Sequence, residues 1–394
     1  MIYDYIVIGG GASGLMFASQ LKNNKSLLLE GSPSFGTKLL ISGGGHCNIT
    51  HGGSIKDFVD CYGEAGRRIR TCLYKHSNLE LIKLLEDNGI ATYANEENKI
   101  FPVSMRARDI LDLLISRAKA NGWSLHANAK VKAITEQGET ILVHTEDETY
   151  EARRVVIATG GITYPKTGSD GSMFEILKSL GIEVTELHSV LAPLTPEGYP
   201  YGELAGIAFP DAVVTTGTTK KDRHTFRDAL LFTHKDLSGP AILNISRYTP
   251  EGTEFSINYI PDVEDPFKEL VAAVASSHAN YANIVADTFG VPKRFAEIIV
   301  SRAQGTRKAT ASRDGISLKC IVELLTNDRF IVKERGDNGM VTMGGVSLKE
   351  ISTSTMELKN HPGIYVIGEA LDVDGITGGY NLQFAYSSAM AASS

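Results

Sequence analysis

Apolar and polar positions change period several times along the chain, and each change marks an element. Tyr3–Ile8 (YDYIVI) is a short aromatic and β-branched run of the kind that fills a strand buried on both faces. Gly9–Gly14 (GGGASG) interrupts it, Leu15–Lys22 spaces its apolar residues as a helix does, and Ser26–Leu29 is a second short strand ending at Glu30. Ser104–Lys119 sets Ile110, Leu111, Leu114, Ile115 and Ala118 at helical spacing, and Ser172–Leu180 is a further amphipathic helix. Trp123–Ala152 reads as an antiparallel meander broken at Gln137-Gly138 and Glu146-Asp147. Arg154–Ala158 and Gly363–Ile367 are buried-type strands, each followed by glycine, and Tyr380 opens a closing helix. Between these, Leu191–Tyr259 is threonine-rich with strand-like runs at Asp211–Thr215 and Phe255–Tyr259. Pro266–Leu325 is helix-like, with segments at Phe267–Ala275 and Lys293–Ser301, and Arg329–Glu334 returns as a strand. The pattern predicts an α/β, Rossmann-like domain with a β-meander, discontinuous over 1–190 and 336–394. A β-rich substrate domain is expected over 191–262 and 326–335, with a helical insertion at 263–325.

Composition narrows the function. The 394 residues hold 39 Lys plus Arg against 46 Asp plus Glu, a net charge of −7, which argues against a long nucleic-acid footprint. One local basic run, Arg67-Arg68-Ile69-Arg70, stands out from that balance. No stretch of about 18 apolar residues is present, so no membrane partner is expected. Four cysteines (Cys47, Cys61, Cys72, Cys320), none in C-x-x-C spacing, indicate neither a metal ribbon nor a disulfide scaffold. A cytoplasmic protein with reduced thiols and no metal site is the expectation. Glycine, 39 residues, is in excess and clustered.

The first cluster matches G-x-G-x-x-G at Gly9, Gly11 and Gly14, in the order strand, turn, helix, strand, acid. Gly9 permits the tight turn, Gly11 lets main chain approach a diphosphate, and Gly14 lets helix and strand pack closely. Ala12 and Ser13 open the helix, whose first-turn amides face the diphosphate. Glu30, 21 residues after Gly9, is placed to accept hydrogen bonds from ribose hydroxyls, and its charge would repel a 2′-phosphate. The fingerprint alone does not separate FAD from NAD. The later strands add Thr159, Gly160 and Gly161 after one, and Gly368 and Glu369 after the other, at the strand ends where open α/β sheets bind ligands. Gly379, Asn381 and Leu382 begin the closing helix, a positive dipole end suited to charge growing on a reduced flavin. No second G-x-G-x-x-G follows a strand.

Six stretches together resemble the three-domain FAD-binding flavoproteins of the aminoacetone oxidase type, relatives of which include a reductase linked to bile-acid metabolism. They are Gly9–Leu15 (GGGASGL), Lys38–Thr50 (KLLISGGGHCNIT), Ala158–Ser169 (ATGGITYPKTGS), Leu231–Ala241 (LFTHKDLSGPA), Val341–Ile351 (VTMGGVSLKEI) and Gly363–Gln383 (GIYVIGEALDVDGITGGYNLQ). The resemblance implies FAD, with Glu369 near the ribityl chain and Val131 lending main chain to the adenine pocket. The glycine-rich loop with Ser42, Gly43, Cys47 and Asn48 would lie against the flavin, Lys38 would reach ribose or phosphate, and Gly345 would offer bare main chain. Two positions depart from the family: His46 stands where Arg is common, and Asp236 where Gly is.

The chemistry implied is hydride transfer at flavin N5 to or from a small molecule, an amine or an unsaturated acid or enone. Tyr164 and His234 are the substrate-side catalytic candidates. With no second dinucleotide fingerprint, NAD(P)H would visit transiently, or oxygen would reoxidise the flavin. Two other classes remain at this point: an NAD-dependent dehydrogenase without flavin, and a non-catalytic flavin-binding sensor.

Overall fold

A computed structural model describes every residue except 24, 221, 305–316, 337–338 and 394. The chain divides into two compact units, Met1–Ser189 with Met340–Ser394, and Val190–Gly339.

The first unit is built on a nine-stranded sheet. Its centre is β1 (Ile2–Ile8), which pairs in parallel with β2 (Ser26–Leu29) on one side and with Thr149–Ile157 on the other. Ile364–Val366 adds in parallel beyond Thr149–Ile157, so the chain's two ends share one sheet. The inner residues Ile6, Val7, Leu27, Leu28, Val155 and Val156 are fully buried, as in a sheet covered on both faces. Helix α1 (Ala12–Gln20) has no polar face at all: Ser13 through Ser19 are buried. The closing helix Tyr380–Ser393 is buried almost throughout, and its polar residues are satisfied inside the core. Gln383 accepts from Thr50 Oγ1 at 2.7 Å, and Ser388 Oγ accepts from the Gly368 amide at 3.0 Å.

The expected meander is corrected in one part. Trp123–His126 pairs in parallel with β2 as a strand of the main sheet. The antiparallel part is Ala133–Gln137, Thr140–His144 and Thr149–Ile157, the last of which runs on into the sheet beside β1. Alternating polarity predicted strands correctly but held no information on which partner each would choose.

The second unit is a closed six-stranded barrel formed by Leu194–Pro196, Leu237–Ser238, His224–Phe232, Ala208–Thr216, Glu254–Asn258 and Asp328–Arg335. The helices expected as a separate insertion share its core. Leu270, Ile284, Phe295, Ile299 and Ile321 join Phe209, Phe232, Tyr259 and Phe330 in one apolar cluster. Tyr201 packs at 5.6 Å on Phe295 and 4.8 Å on Phe232. At the edge of this aromatic core Asp328 is fully buried. Arg302 grips it with two parallel hydrogen bonds of 2.8 and 2.7 Å, and the hydroxyls of Tyr201 and Tyr259 donate to the same carboxylate. Burial and that carboxylate hold both phenols well above their ordinary range.

Removing the cation would leave an uncompensated buried charge. R302M is therefore expected to cost about 3–5 kcal/mol of stability, read by chemical denaturation, and D328N added to R302M should recover part of the loss.

Candidate functional site

At the carboxyl ends of β1, Thr149–Ile157 and Ile364–Val366, main chains approach more closely than side chains would permit. A Cβ on Gly9, whose φ is +106°, would lie 2.4 Å from the Ala158 carbonyl oxygen, and one on Gly14 would lie 2.0 Å from that of Gly9. Gly368 (φ +65°) leaves room for Ser13, whose Oγ would sit 2.6 Å from an added Cβ. Gly11 differs. Its backbone is extended (φ −81°, ψ −166°), and an added Cβ would meet nothing within 4 Å. Nothing in the protein's own packing requires glycine there, so the requirement lies in what fills the space. The first-turn amides of Ala12, Ser13 and Gly14 open onto it, because a helix leaves its first N–H groups without internal partners.

Glu30 lies beside this turn, buried, with Oε2 accepting from the Gly10 amide at 2.8 Å and Oε1 from Ser32 at 2.7 Å. An ionised carboxylate has about four acceptor sites, so two are left for ribose hydroxyls. Val131 is buried close by, two residues after the Ala129 amide donates to the Glu30 carbonyl at 2.8 Å. Gly160 (φ +72°) faces Ser169, whose buried Oγ has no hydrogen-bond partner. An orphaned buried hydroxyl next to a glycine turn suits a polar ligand.

Glu369 ties the far segments together. Lys38 Nζ donates to it at 2.7 and 3.0 Å and to Thr163 Oγ1 at 2.7 Å, while the Thr342 amide donates to Glu369 Oε1 at 2.8 Å. Lys38 and Glu369 are 331 residues apart in sequence. Thr163 and Thr342 are parts of this knot that no periodicity or motif spacing announced. Gly161 is glycine because Thr342 Oγ1 would lie 2.0 Å from its Cβ, and that hydroxyl accepts from the Ile162 amide at 2.8 Å.

Other expected residues prove to be engaged within the protein. Gly345 packs against Leu371 main chain and exchanges hydrogen bonds with Thr185, which accounts for its lack of a side chain. In the loop after Lys38, Gly43, Gly44 and Cys47 are all left-handed (φ +55°, +66° and +58°), and the amides of His46 and Cys47 turn inward to Gly43 and Ser42. Ser42 Oγ donates to Leu39. Asn48 directs its amide nitrogen to the Thr50 and Ile100 carbonyls. Asn381 bridges both ways to Gly375, so its side chain shapes the loop, while the main-chain amides of Asn381 and Leu382 keep the free first-turn positions. Gly379 (φ +93°) is pressed against Thr50. His46 binds the Met105 carbonyl through Nδ1 at 2.9 Å and is exposed.

Tyr164 holds a left-handed backbone (φ +58°), and Lys38 Nζ stands 5.8 Å from its ring centre. His234 is an exposed residue of a turn in the second unit. Asp236, in the same turn, avoids the left-handed region that its glycine counterpart suggested, and its amide donates to Thr233 Oγ1 at 2.9 Å. His51 was not foreseen. It stacks on Tyr380 at 5.3 Å and accepts from the Gly53 amide through Nδ1, leaving Nε2–H for the Glu97 carbonyl. Burial lowers its pKa. Among the described residues no group of three or more His, Cys, Asp or Glu forms a metal site, and no helix is long and apolar enough to cross a membrane.

The arrangement fits FAD: an open cradle at Gly11, an acid for ribose, an orphaned hydroxyl, and a second helix N-terminus at Tyr380–Leu382. Residues 3–394 match the family described as HI0933-like protein Rossmann domain. The chain is 31% identical over 406 residues to a ribosomal RNA dihydrouridine synthase of Escherichia coli (strain K12), covering 99% of this chain and 96% of that protein. It is 26% identical over 401 residues to a 3-dehydro-bile acid delta(4,6)-reductase of Clostridium scindens, covering 96% and 95%. The solved 3-ketosteroid delta1-dehydrogenase of Sterolibacterium denitrificans shares the fold, with a TM-score of 0.52 at 12% identity over 100% of this chain and 99% of that one.

Two outcomes test the cradle. G11V should fold with an unchanged apo melting temperature yet purify without visible flavin absorbance, whereas G14V should lose stability. Cys47, its thiol pushed up to about 11 by burial, stays protonated until pH approaches that value. Native protein should therefore resist iodoacetamide at Cys47 between about pH 7 and 9 and react there only when unfolded, as read by peptide mass spectrometry.

Proposed function

The chain belongs to the family described as HI0933-like protein Rossmann domain, and from that footing we propose that it is an FAD-dependent oxidoreductase that reduces the C5=C6 bond of a uridine in ribosomal RNA. The observation that supports this most is the end-to-end match, over 99% of the chain, to a protein named for that product. FAD as cofactor sets aside the nicotinamide-only alternative.

A uracil ring is an activated alkene, because C5=C6 is conjugated with the C4 carbonyl. The dienone implied by the name of the bile-acid relative has the same electronic character, an α,β-unsaturated carbonyl. Reduction places a hydride on the β carbon, C6 in uracil, and a proton on the α carbon, C5. Both electrons come ultimately from a reduced nicotinamide that visits the site without a dedicated domain. FAD, when bound, supplies the hydride chemistry at N5. Gly9–Gly14 and the first turn of α1 bind the diphosphate, and Glu30 orients the adenosine ribose. Lys38, held by Thr163, fixes Glu369, which would hold the ribityl chain. The amides of Tyr380–Leu382 would stabilise negative charge on the reduced cofactor. Tyr164 is the proton donor in this scheme, its Oη giving the proton that C5 takes. Lys38 Nζ stands 5.8 Å from its ring centre, and the left-handed backbone is a cost often met at such sites. An amine substrate of the aminoacetone type, implied by the sequence resemblance, finds no support in the relatives named above. The expectation of no nucleic-acid partner gives way in this scheme to a local contact around one base, and a ribosomal RNA substrate agrees with the expectation of a cytoplasmic protein.

Unmodified ribosomal RNA incubated with enzyme, FAD and NADPH should gain two hydrogens on one uridine, read by nucleoside mass spectrometry. Turnover of a steroid dienone with no RNA product would favour the small-molecule enone instead. Y164F should keep its flavin and lower the rate by about 10²-fold or more.

A further inference from the structure

The helix Gly63–Lys75 has a buried side made of Gly66, Ile69, Cys72 and Leu73. Its opposite side carries Arg67, Arg68, Arg70 and Lys75, all exposed, with Tyr74 (45% exposed) on the same strip. Among the described residues none of these four cations closes a salt bridge, and the one acid on the strip is Glu64. Arg68 also lines an open hollow of about 320 Å³ with Lys349, Lys359 and Thr353. Lys359 reaches across to the Lys349 carbonyl at 2.7 Å, and Lys349 stands 3.9 Å from Glu183. Six cations thus gather on one face of a unit whose chain carries a net charge of −7.

The face adjoins the cofactor cradle. Tyr62, immediately before the helix, donates from its hydroxyl to the Tyr380 carbonyl at 2.7 Å in the first turn of the closing helix. Its ring lies against Gly375 in the segment between Glu369 and Asn381. Arg68 is in electrostatic reach of Asp372 in that same segment.

Resting on the reading above, we propose that this face, helix Gly63–Lys75 with the hollow at Arg68, Lys349 and Lys359, docks the ribosomal RNA that presents the uridine. Charge complementarity selects the occupant. Unpaired arginines suit phosphates because they bind them bidentately, the hollow between three cations is a phosphate seat, and an exposed tyrosine amid arginines is a stacking platform for an unpaired base. A compact anionic metabolite would not need cations spread along about two and a half helical turns.

The test compares purified flavin-loaded wild type with three double variants of equal net charge to one another, R67Q/R70Q, R68Q/K359Q and R106Q/R108Q. The last pair removes arginines already matched to Asp109 and Asp112. Binding to unmodified ribosomal RNA transcribed in vitro is measured across a salt series, beside dihydrouridine formation. Flavin absorbance and melting temperature report that each variant is folded. Each of the two face variants should weaken binding about tenfold or more and flatten the log K against log[salt] slope by about 1.4, near 0.7 for each lost contact to single-stranded RNA. R106Q/R108Q should behave as wild type. If wild type reduces the RNA while both face variants bind it unchanged, the docking face is overturned and the uridine reading stands. If binding depends on the face but no dihydrouridine forms, the face stands and the uridine reading falls. If wild type does not bind RNA at low salt, the docking face is overturned.

Discussion

Main-chain contact without side chains is the constraint on which the first unit depends. Gly14 lies so close to the Gly9 carbonyl, and Gly9 to the Ala158 carbonyl, that any Cβ there would force β1, α1 and the strand Thr149–Ile157 apart. Since a well-packed core yields little to such an intrusion, the sheet end and the helix N-terminus could not both hold their places. The cradle at Gly11 is what these contacts leave open. Its openness is itself a consequence of how tightly everything around it is packed.

A second layer of order comes from the polar knot of Lys38, Thr163, Thr342 and Glu369. It joins a residue before the glycine-rich loop, one after the strand Thr149–Ile157, and two from the last 55 residues. Both charges are partly shielded, and each has a further neutral partner, so the knot is better satisfied than an isolated surface pair. In the second unit the buried Asp328 has the same character in stronger form, with its charge divided among one guanidinium and two phenols. In both units, residues close together in space are far apart in sequence, and the charge is tolerated only because every partner arrives.

The proposed chemistry asks little of the protein beyond this frame. An activated double bond accepts hydride once it is held over a flavin, and one proton must follow. Recognition of a large anionic substrate is then a matter for surface rather than core. That agrees with a chain that is acidic overall and basic on one helix face.

The glycine fingerprint, Glu30 and the central strands were legible in the sequence because each depends on neighbours a few residues away: a turn, a helix start, a strand end. The closing helix and three of the barrel strands, Ala208–Thr216, Glu254–Asn258 and Asp328–Arg335, were legible for the same reason. Strand partnership was not, as Trp123–His126 shows by joining the main sheet. Neither was the sharing of one core by barrel and helices, since periodicity states which face is apolar and never what will cover it. Gly345 and Asn381 matched the expected motif, yet the fold engages them in packing and loop shape. Thr163, Thr342, Ser169 and His51 gained their importance only from what folding brought beside them. The amino-acid sequence by itself determined the local geometry and the kind of ligand a helix end can hold. Only the tertiary structure decided which polar groups would meet, because hydrogen bonds and charge pairs act over a few ångströms of space, whatever the distance along the chain.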